Sequence, residues 1–243
     1  MKIIPLSEGS FTIDKTKVFV PFDKQKDDLQ QRPIGSLLVE IQPFIVITDK
    51  DIVLIDTGLG FYSTDGIMQL HTNLLANGIK PEAVTKVLLS HLHKDHAGGI
   101  QDEHRQKLSF PQAVYYVNSK ELAFASEGKN LSYEPSLFSL LKESSQLVKL
   151  DDNGTIDGYI HYEMCGAHSP YHVVFTLEQY GNKIFFGGDV APQLQQMKNR
   201  FVAKYDYDGK KSMELRNKWW EQGKLEHWTM LFYHDIKSPF ISL

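Results

Sequence analysis

The sequence predicts a mixed α/β chain whose two β-rich halves pack as a sandwich with helices outside. Two observations carry this reading. Short apolar runs bounded by turn residues recur along the chain, and each half gives strands and then a helix. No linker separates the halves, so residues 1–243 read as a single domain, long enough to bury a substantial core without staples. No short-period repeat is present.

The elements follow in order. Residues 11–21 alternate apolar and polar and read as a strand with turns. Residues 23–33 (DKQKDDLQQRP) are polar and read as an exposed loop, with a lid or dimer arm as the functional alternative. Residues 36–47 and 51–56 read as strands, and the Thr48-Asp49-Lys50 turn between them suggests an antiparallel hairpin. Ser63 or Thr64 is a candidate cap for a helix running to about Ala76, with Ile67, Leu70, Leu74 and Leu75 as its apolar stripe and Asn77-Gly78 as its stop. Residues 86–90 (KVLLS) form a short buried strand, and 113–117 another. Ser119, with Glu121 in the first turn, opens a short helix, and residues 135–142 give a second. In the second half, residues 147–150, 160–165, 172–177 and 183–186 read as strands, 211–220 as a helix and 229–233 as a last strand.

Composition narrows the function. Apolar residues make up 42% and charged residues 23%, which is ordinary for a soluble globular protein. The formal charge of −4 is small for this length and argues against nucleic acid or acidic membrane as the main partner. Cys165 is the single cysteine, so no intramolecular disulfide forms and a reducing cytoplasm fits. No signal peptide is visible at the start, and no run approaches the roughly 18 apolar residues of a membrane span. The expectation is a cytoplasmic monomer or homodimer acting on a small-molecule substrate, without nucleic acid or membrane.

Three of the ten histidines fall within His91-Leu92-His93-Lys94-Asp95-His96, directly after a buried strand and before Ala97-Gly98-Gly99. In extended backbone, residues two apart point the same way, so His91 and His93 can reach one metal ion together. Asp95 and His96 follow where the chain turns and can face a second ion. The glycines let backbone pass close beside the site. Imidazole with carboxylate suits zinc first, and also iron, manganese or cobalt. Two ions need further ligands. His168, Asp189 and His234 each stand at the end of an apolar run, where open sheets commonly place their sites.

With these residues in this order, the chain resembles the metallo-β-lactamase superfamily over nearly its whole length. The His-x-His-x-Asp-His motif is the hallmark. Asp56 in Leu54-Ile55-Asp56-Thr57-Gly58, then His168, Asp189 and His234, match in order. The resemblance implies a four-layer αβ/βα sandwich with two divalent metal ions, zinc first and iron or manganese as alternatives, at one edge. It assigns His91, His93 and His168 to one ion, Asp95, His96 and His234 to the other, and Asp189 to both. It makes Asp56 a residue that positions ligand histidines. The segment 90–99 looks most like the N-acyl homoserine lactonase and methyl parathion hydrolase branches, and Tyr205-Asp206-Tyr207-Asp208 ahead of a helix is similar to the latter. True β-lactamases place Cys where Asp189 stands, and flavodiiron proteins place Glu where His93 stands. Glyoxalase II fits the histidine motif, without recognisable basic residues for glutathione.

The expected chemistry is hydrolysis: two ions share a hydroxide that attacks a lactone or ester carbonyl, with Asp95 and Asp189 holding ions and nucleophile. A phosphotriester or thioester is the alternative target, and a non-catalytic metal-binding scaffold or an RNA-processing nuclease the alternative classes. The lactonase tyrosine three residues after the bridging aspartate is Pro192 here, and Tyr233 or Tyr171 stands in as expected donor. Cys165 reads as a buried thiol and His172 as a neighbour of the ligands or a core residue. His71, His104, His161 and His227 read as surface or structural, with His71 on a helix surface. Trp219, Trp220 and Trp228 read as packing for the outer helix rather than pocket lining.

Overall fold

The computed structural model describes residues 1–104 and 106–243. Two six-stranded sheets stack face to face. The first runs in the order Lys2–Pro5, Phe44–Ile47, Ile52–Ile55, Lys86–Leu88, Val114–Asn118, Leu147–Leu150. Its first three strands pair antiparallel, as the hairpin reading required, and the rest pair parallel. The second runs in the order Asn153–Ile156, Ile160–Met164, Val173–Gln179, Asn182–Phe186, Thr229–Leu231, Phe240–Ser242. A small sheet, in the order Val20–Pro21, Gly9–Ile13, Leu37–Ile41, flanks them.

Side-chain alternation explains why the stack has four layers. Phe44, Val46, Val53, Ile55, Leu88 and Tyr116 face Phe175, Leu177, Ile184, Phe186 and Leu231 across the gap between the sheets. Their neighbours Ile45, Leu54, Val87, Tyr115 and Val117 point outward, against Leu70 and Leu74 of the helix Gln69–Ala76 and Leu122 and Ala125 of the helix Ser119–Ser126. On the far side, Val174, Phe185 and Met230 pack on Met197 of Leu194–Lys198 and Trp219 of Gly209–Glu226. The strands are therefore apolar on both faces, and their sequences read as continuous apolar runs.

Several boundaries move from the sequence reading. The first helix starts at Gln69, not after Ser63. The Ser63 hydroxyl instead bonds the Ile67 carbonyl across a turn, and Leu75 is exposed. Asn118, not Ser119, caps the next helix by accepting from Lys120 and Glu121 N–H. The last long helix is capped by Asp208 and runs on to Glu226. The strands Asn153–Ile156 and Phe240–Ser242 went unread, the first hidden by its turn-like Asp-Asp-Asn-Gly and the second by its shortness. His71 is buried, not on a helix surface, with its ring against Phe110 and Nε2 at 3.1 Å from the Ser109 carbonyl.

Residues 23–33 are mostly exposed, with a short 3-10 turn at Leu29–Gln31 capped by Asp28. Among the described residues, no helix is long and apolar enough to cross a membrane. Trp219 and Trp228 both pack on Phe185, at ring distances of 4.9 and 5.2 Å. Replacing Trp219 by Ala should therefore cost about 3–5 kcal/mol of stability, as large core truncations do. Denaturant unfolding, with metal content of the folded fraction measured alongside, checks it: stability falls and metal content holds.

Candidate metal centre

Strand register brings the site together. Ile55 pairs with Leu88 and Phe186 with Leu231, so these neighbouring parallel strands end level. Three residues beyond Leu88 stands His91. Three residues beyond Phe186 and Leu231 stand Asp189 and His234. Both sheets thus deliver polar side chains to one edge of the sandwich. His168 arrives there on the turn between Ile160–Met164 and Val173–Gln179. Asp95 and His96 lie in the single helical turn Lys94–Ala97.

The donors fall into overlapping groups, each within 4.8 Å: His91, His93 and His168; His91, His96 and Asp189; and Asp95, His96 and His234. His93 Nδ1 lies 3.0 Å from His91 Nε2 and 3.2 Å from His168 Nε2. Two nitrogens bound at 2.0–2.1 Å to one tetrahedral ion lie about 3.3 Å apart, so this spacing fits a shared cation. Asp189 spans both groups: Oδ2 is 3.3 Å from His168 Nε2, and Oδ1 is 3.2 Å from His96 Nε2 and 3.0 Å from His234 Nε2. Asp95 Oδ2 stands 3.5 Å from His234 Nε2 and 3.7 Å from His96 Nε2. His96 Nε2 and Asp189 Oδ1 are buried and accept or donate no hydrogen bond, a costly state that a metal ion removes. The donor set of imidazole and carboxylate is the one zinc, iron or manganese takes. The site is built for two divalent ions.

The opposite ring nitrogens are held as ligand histidines usually are. His96 Nδ1 meets Asp56 Oδ2 at 2.7 Å, His168 Nδ1 meets Asp206 Oδ1 at 2.8 Å, and His234 Nδ1 meets the Glu40 carbonyl at 2.7 Å. Each partner accepts, so each Nδ1 carries a proton and Nε2 is the nitrogen turned toward the donor cluster. Burial pulls His96 and His234 down, but Asp189 and Asp95 outweigh it and hold both above the usual histidine range. His91 Nδ1 sits 3.0 Å from the Ser90 hydroxyl, which donates to Asp56. Burial and neighbouring imidazoles hold His91 well below the usual histidine range, which keeps it neutral. Burial pushes the Asp189 carboxyl up, but His234, His96 and His168 outweigh it and hold the group well below the usual range.

A further ring of residues holds the loops. Asp189 N–H donates to His172 Nε2 at 3.2 Å, and His172 Nδ1 lies 3.5 Å from Cys165 Sγ. Burial pushes the Cys165 thiol up to about 12, so it is an inert neighbour. Glu121 is fully buried. It accepts from Leu92 N–H and the Tyr133 hydroxyl at 3.0 Å each and from the Ser169 hydroxyl at 3.3 Å, tying the His91–His96 segment to the His168 turn. Buried Arg216 donates to the Val190 carbonyl at 2.7 Å and to the Phe201 carbonyl, fixing the turn after Asp189. Gly98 and Gly99 do allow a close approach, to the 57–60 loop. A Cβ on either would sit 2.2 Å from a carbonyl oxygen, of Leu59 or Thr57.

The structure brings all seven expected ligands together. Tyr233 has another task. Its hydroxyl donates to the Asp95 backbone carbonyl at 2.6 Å, and its ring stacks on His96 at 4.1 Å, fully buried. The hydroxyl is spent inside the core, so Tyr233 supports the floor of the site and does not face the substrate. Sequence reasoning also missed Asp206 as the partner of His168, although it had singled out the surrounding Tyr-Asp-Tyr-Asp. Glu121 was visible only as a helix-start acid, and Glu40 acts through a carbonyl that carries no side-chain signal.

A cavity of about 1200 Å³ opens over the donors and is lined by His93, Asp95, His168, Asp189 and His234 on its floor. Pro192 and Tyr171 also line it.

With fold and site described, comparison with known proteins gives a family. Residues 39–234 match the family model of the metallo-beta-lactamase superfamily. The chain belongs to that superfamily, and its site is that of a metal-dependent hydrolase. It is similar in fold to a probable metal-dependent hydrolase from Staphylococcus aureus, at 21% identity and TM-score 0.78 over 99% of this chain and 91% of that one. It is similar to the hydrolase AbOPH of the beta-lactamase superfamily, at 23% and 0.78 over 99% and 89%. It is also similar to AidC, a dizinc quorum-quenching lactonase solved with N-hexanoyl-L-homoserine, at 20% and 0.74 over 98% and 88%. No curated protein sequence matches the chain.

Asp206→Asn should leave His168 misoriented and weaken metal binding roughly 10- to 100-fold, the usual loss for such a partner. Asp189→Ala should impair both ions. Wild-type protein purified with metal present should hold about two equivalents. Elemental analysis under graded chelator competition reads all three. Full occupancy in D189A excludes the shared role of Asp189.

Proposed function

We propose that this chain is a dinuclear metal-dependent hydrolase that opens a lactone or ester. One observation carries the reading: seven donors on separate loops converge at one sheet edge, with buried His96 Nε2 and Asp189 Oδ1 lacking any other partner. Two divalent ions, when bound, supply Lewis acidity and lower the pKa of water into the neutral range. His91, His93 and His168 would hold one, Asp95, His96 and His234 the other, and Asp189 would serve both. Asp56 and Asp206 fix the rings that do so. The similar fold of AidC favours a lactone, and that of AbOPH keeps a phosphotriester as the second reading.

The chain's own residues supply the rest. The open face of the cavity admits substrate from above, so the reacting carbonyl settles beside Asp95 and Asp189. Tyr205 is the substrate-facing donor in place of the tyrosine that Pro192 displaces. It lines the cavity, its ring lies 6.1 Å from that of His168, and its oxygen accepts from Gln196 Nε2 at 3.1 Å. That bond leaves the phenol proton free to give. Burial pushes the Tyr205 phenol up to about 12, so it carries that proton at neutral pH. Tyr205 protonates or hydrogen-bonds the leaving oxygen.

Residues 1–243 act as one domain, in a monomer or homodimer in the cytoplasm. Its partner is a small molecule rather than nucleic acid, in line with the −4 net charge and a cavity of about 1200 Å³.

A panel of acyl homoserine lactones, simple lactones, aryl esters, S-lactoylglutathione and a phosphotriester on metal-loaded enzyme tests the reading. Lactones or esters should have the highest kcat/KM. Phosphotriester turnover at least about tenfold faster, roughly 1.4 kcal/mol of barrier, reverses the choice. Tyr205→Phe should lower kcat about 10- to 100-fold on alkyl esters, whose leaving oxygen needs a proton, and much less on nitrophenyl esters. Equal loss on both removes Tyr205 as donor.

A further inference from the structure

The cavity walls carry a charge pattern opposite to that of the whole chain. Four lysines line it: Lys15, Lys17, Lys94 and Lys204. Of the four lining carboxylates, Asp95 and Asp189 belong to the metal centre, and Asp206 is committed to His168. Only Asp14 remains, and it already accepts from Thr16 N–H and hydroxyl. Among the described residues, no carboxylate pairs with any of the four lysines. The walls are therefore net positive, on a chain whose formal charge is −4.

Lys17 and Lys94 are the pair that matters. Both are half-buried, while Lys15 and Lys204 are exposed. Lys94 stands between the ligands His93 and Asp95 and donates one hydrogen bond, to the Lys17 carbonyl at 3.2 Å. Two of its three N–H groups stay free. Lys17 is close enough to His93 for its charge to depress that imidazole. It also holds a left-handed backbone, φ 59°, which a lysine adopts at a cost and which the Lys94 bond helps to fix. Phe19, Leu37, Phe124 and Phe201 give the same cavity an apolar wall. Half-buried ammonium groups beside apolar surface, without a counter-charge, are stabilised by an incoming anion.

We propose that the substrate is amphipathic and anionic: an ester or lactone whose apolar portion lies on the aromatic wall and whose negative group is held by Lys17 and Lys94. This rests on the hydrolase reading and names the substrate class of that site. The floor, with its ions bound, would take the carbonyl end, and the lysine pair fixes the anionic end, so binding selects molecules that span the two.

The test compares the monomethyl ester of decanedioic acid with its dimethyl ester on metal-loaded protein. The half-ester should have about tenfold higher kcat/KM in low salt, and the ratio should shrink severalfold at roughly 0.3 M NaCl. In the double variant Lys17→Gln, Lys94→Gln the ratio should fall toward one, while Lys80→Gln, an exposed lysine off the cavity, should keep it. A ratio near one in the wild type, or one that the double variant leaves unchanged, overturns the proposal. Isothermal titration with octanesulfonate, which has the anion and the chain but no bond to cleave, separates the two readings. Binding that the double variant weakens at least fivefold, without turnover of either ester, sinks the hydrolase reading and keeps the anionic site. Absent or unweakened octanesulfonate binding, without turnover, overturns the anionic site.

Discussion

The carboxylate of Asp56 is the joint on which the site depends. It sits fully buried where the strand Ile52–Ile55 ends, in a left-handed conformation with φ 56°. That backbone turns the chain away from the sheet and leaves the side chain pointing along it. Oδ1 accepts from Ser90 N–H at 2.8 Å, and Oδ2 accepts from the Ser90 hydroxyl at 2.7 Å and from His96 Nδ1 at 2.7 Å. Through Ser90 the same carboxylate reaches His91. One buried group thus sets two donor rings, His91 and His96, and joins two neighbouring strand ends. A buried carboxylate is stable only when its acceptor positions are filled, so geometry there has little freedom. Thr57 N–H, bonded to the His96 carbonyl at 2.7 Å, continues the same seam.

The metal centre conflicts with the core that surrounds it. Five imidazoles and two carboxylates meet beside apolar layers, where burial penalises every charged form. The chain meets part of that cost internally. His91 is kept neutral, Asp189 is kept ionised by the imidazoles around it, and the far nitrogens are bonded to fixed acceptors. Among the seven donor residues, His96 Nε2 and Asp189 Oδ1 stay buried without a hydrogen-bond partner. Folding alone leaves that local deficit, and cation binding removes it, so occupancy and stability are linked. Glu121 and Arg216 serve the same end from outside. Each bonds two or more loop groups and so transmits the rigidity of a helix to ligand-bearing turns.

What was legible in the sequence follows from how each feature is encoded. The motif from His91 to His96 is local, so six consecutive residues announce it. His168, Asp189 and His234 were legible because each follows an apolar strand, and strand ends in such folds are where sites form. A sandwich with outer helices was legible from apolar runs and short helical segments, and the resemblance supplied its four-layer order. Features encoded across distance were not. Asp206 reads as one acid among several until the fold brings it against His168, 38 positions away in the chain. Glu40 acts through its carbonyl, which every residue possesses. The role of Tyr233 was misread because position beside His234 does not say which side of the strand its hydroxyl takes. Short strands such as Phe240–Ser242 carry too few residues for a period to show.

The floor and the walls of the cavity obey different constraints. The floor is held by paired strand ends, a buried carboxylate and ring nitrogens with one acceptable orientation, so nearly any change there costs metal. The walls come from less regular parts of the chain: the turn around Lys17, the start of Leu37–Ile41, and the stretch from Pro192 to Tyr207. Such loop and turn segments tolerate exchange of side chains more readily than paired strand ends. One floor therefore serves many chemistries that share a hydrolysable bond, and the walls decide which molecule presents it. In this chain the exchange of a tyrosine for Pro192 removes a donor from one wall, and Tyr205, bonded to Gln196, stands on another. On the proposed reading the donor is moved, not lost, because the wall needs only a proton near the leaving oxygen and does not prescribe the residue position that provides it.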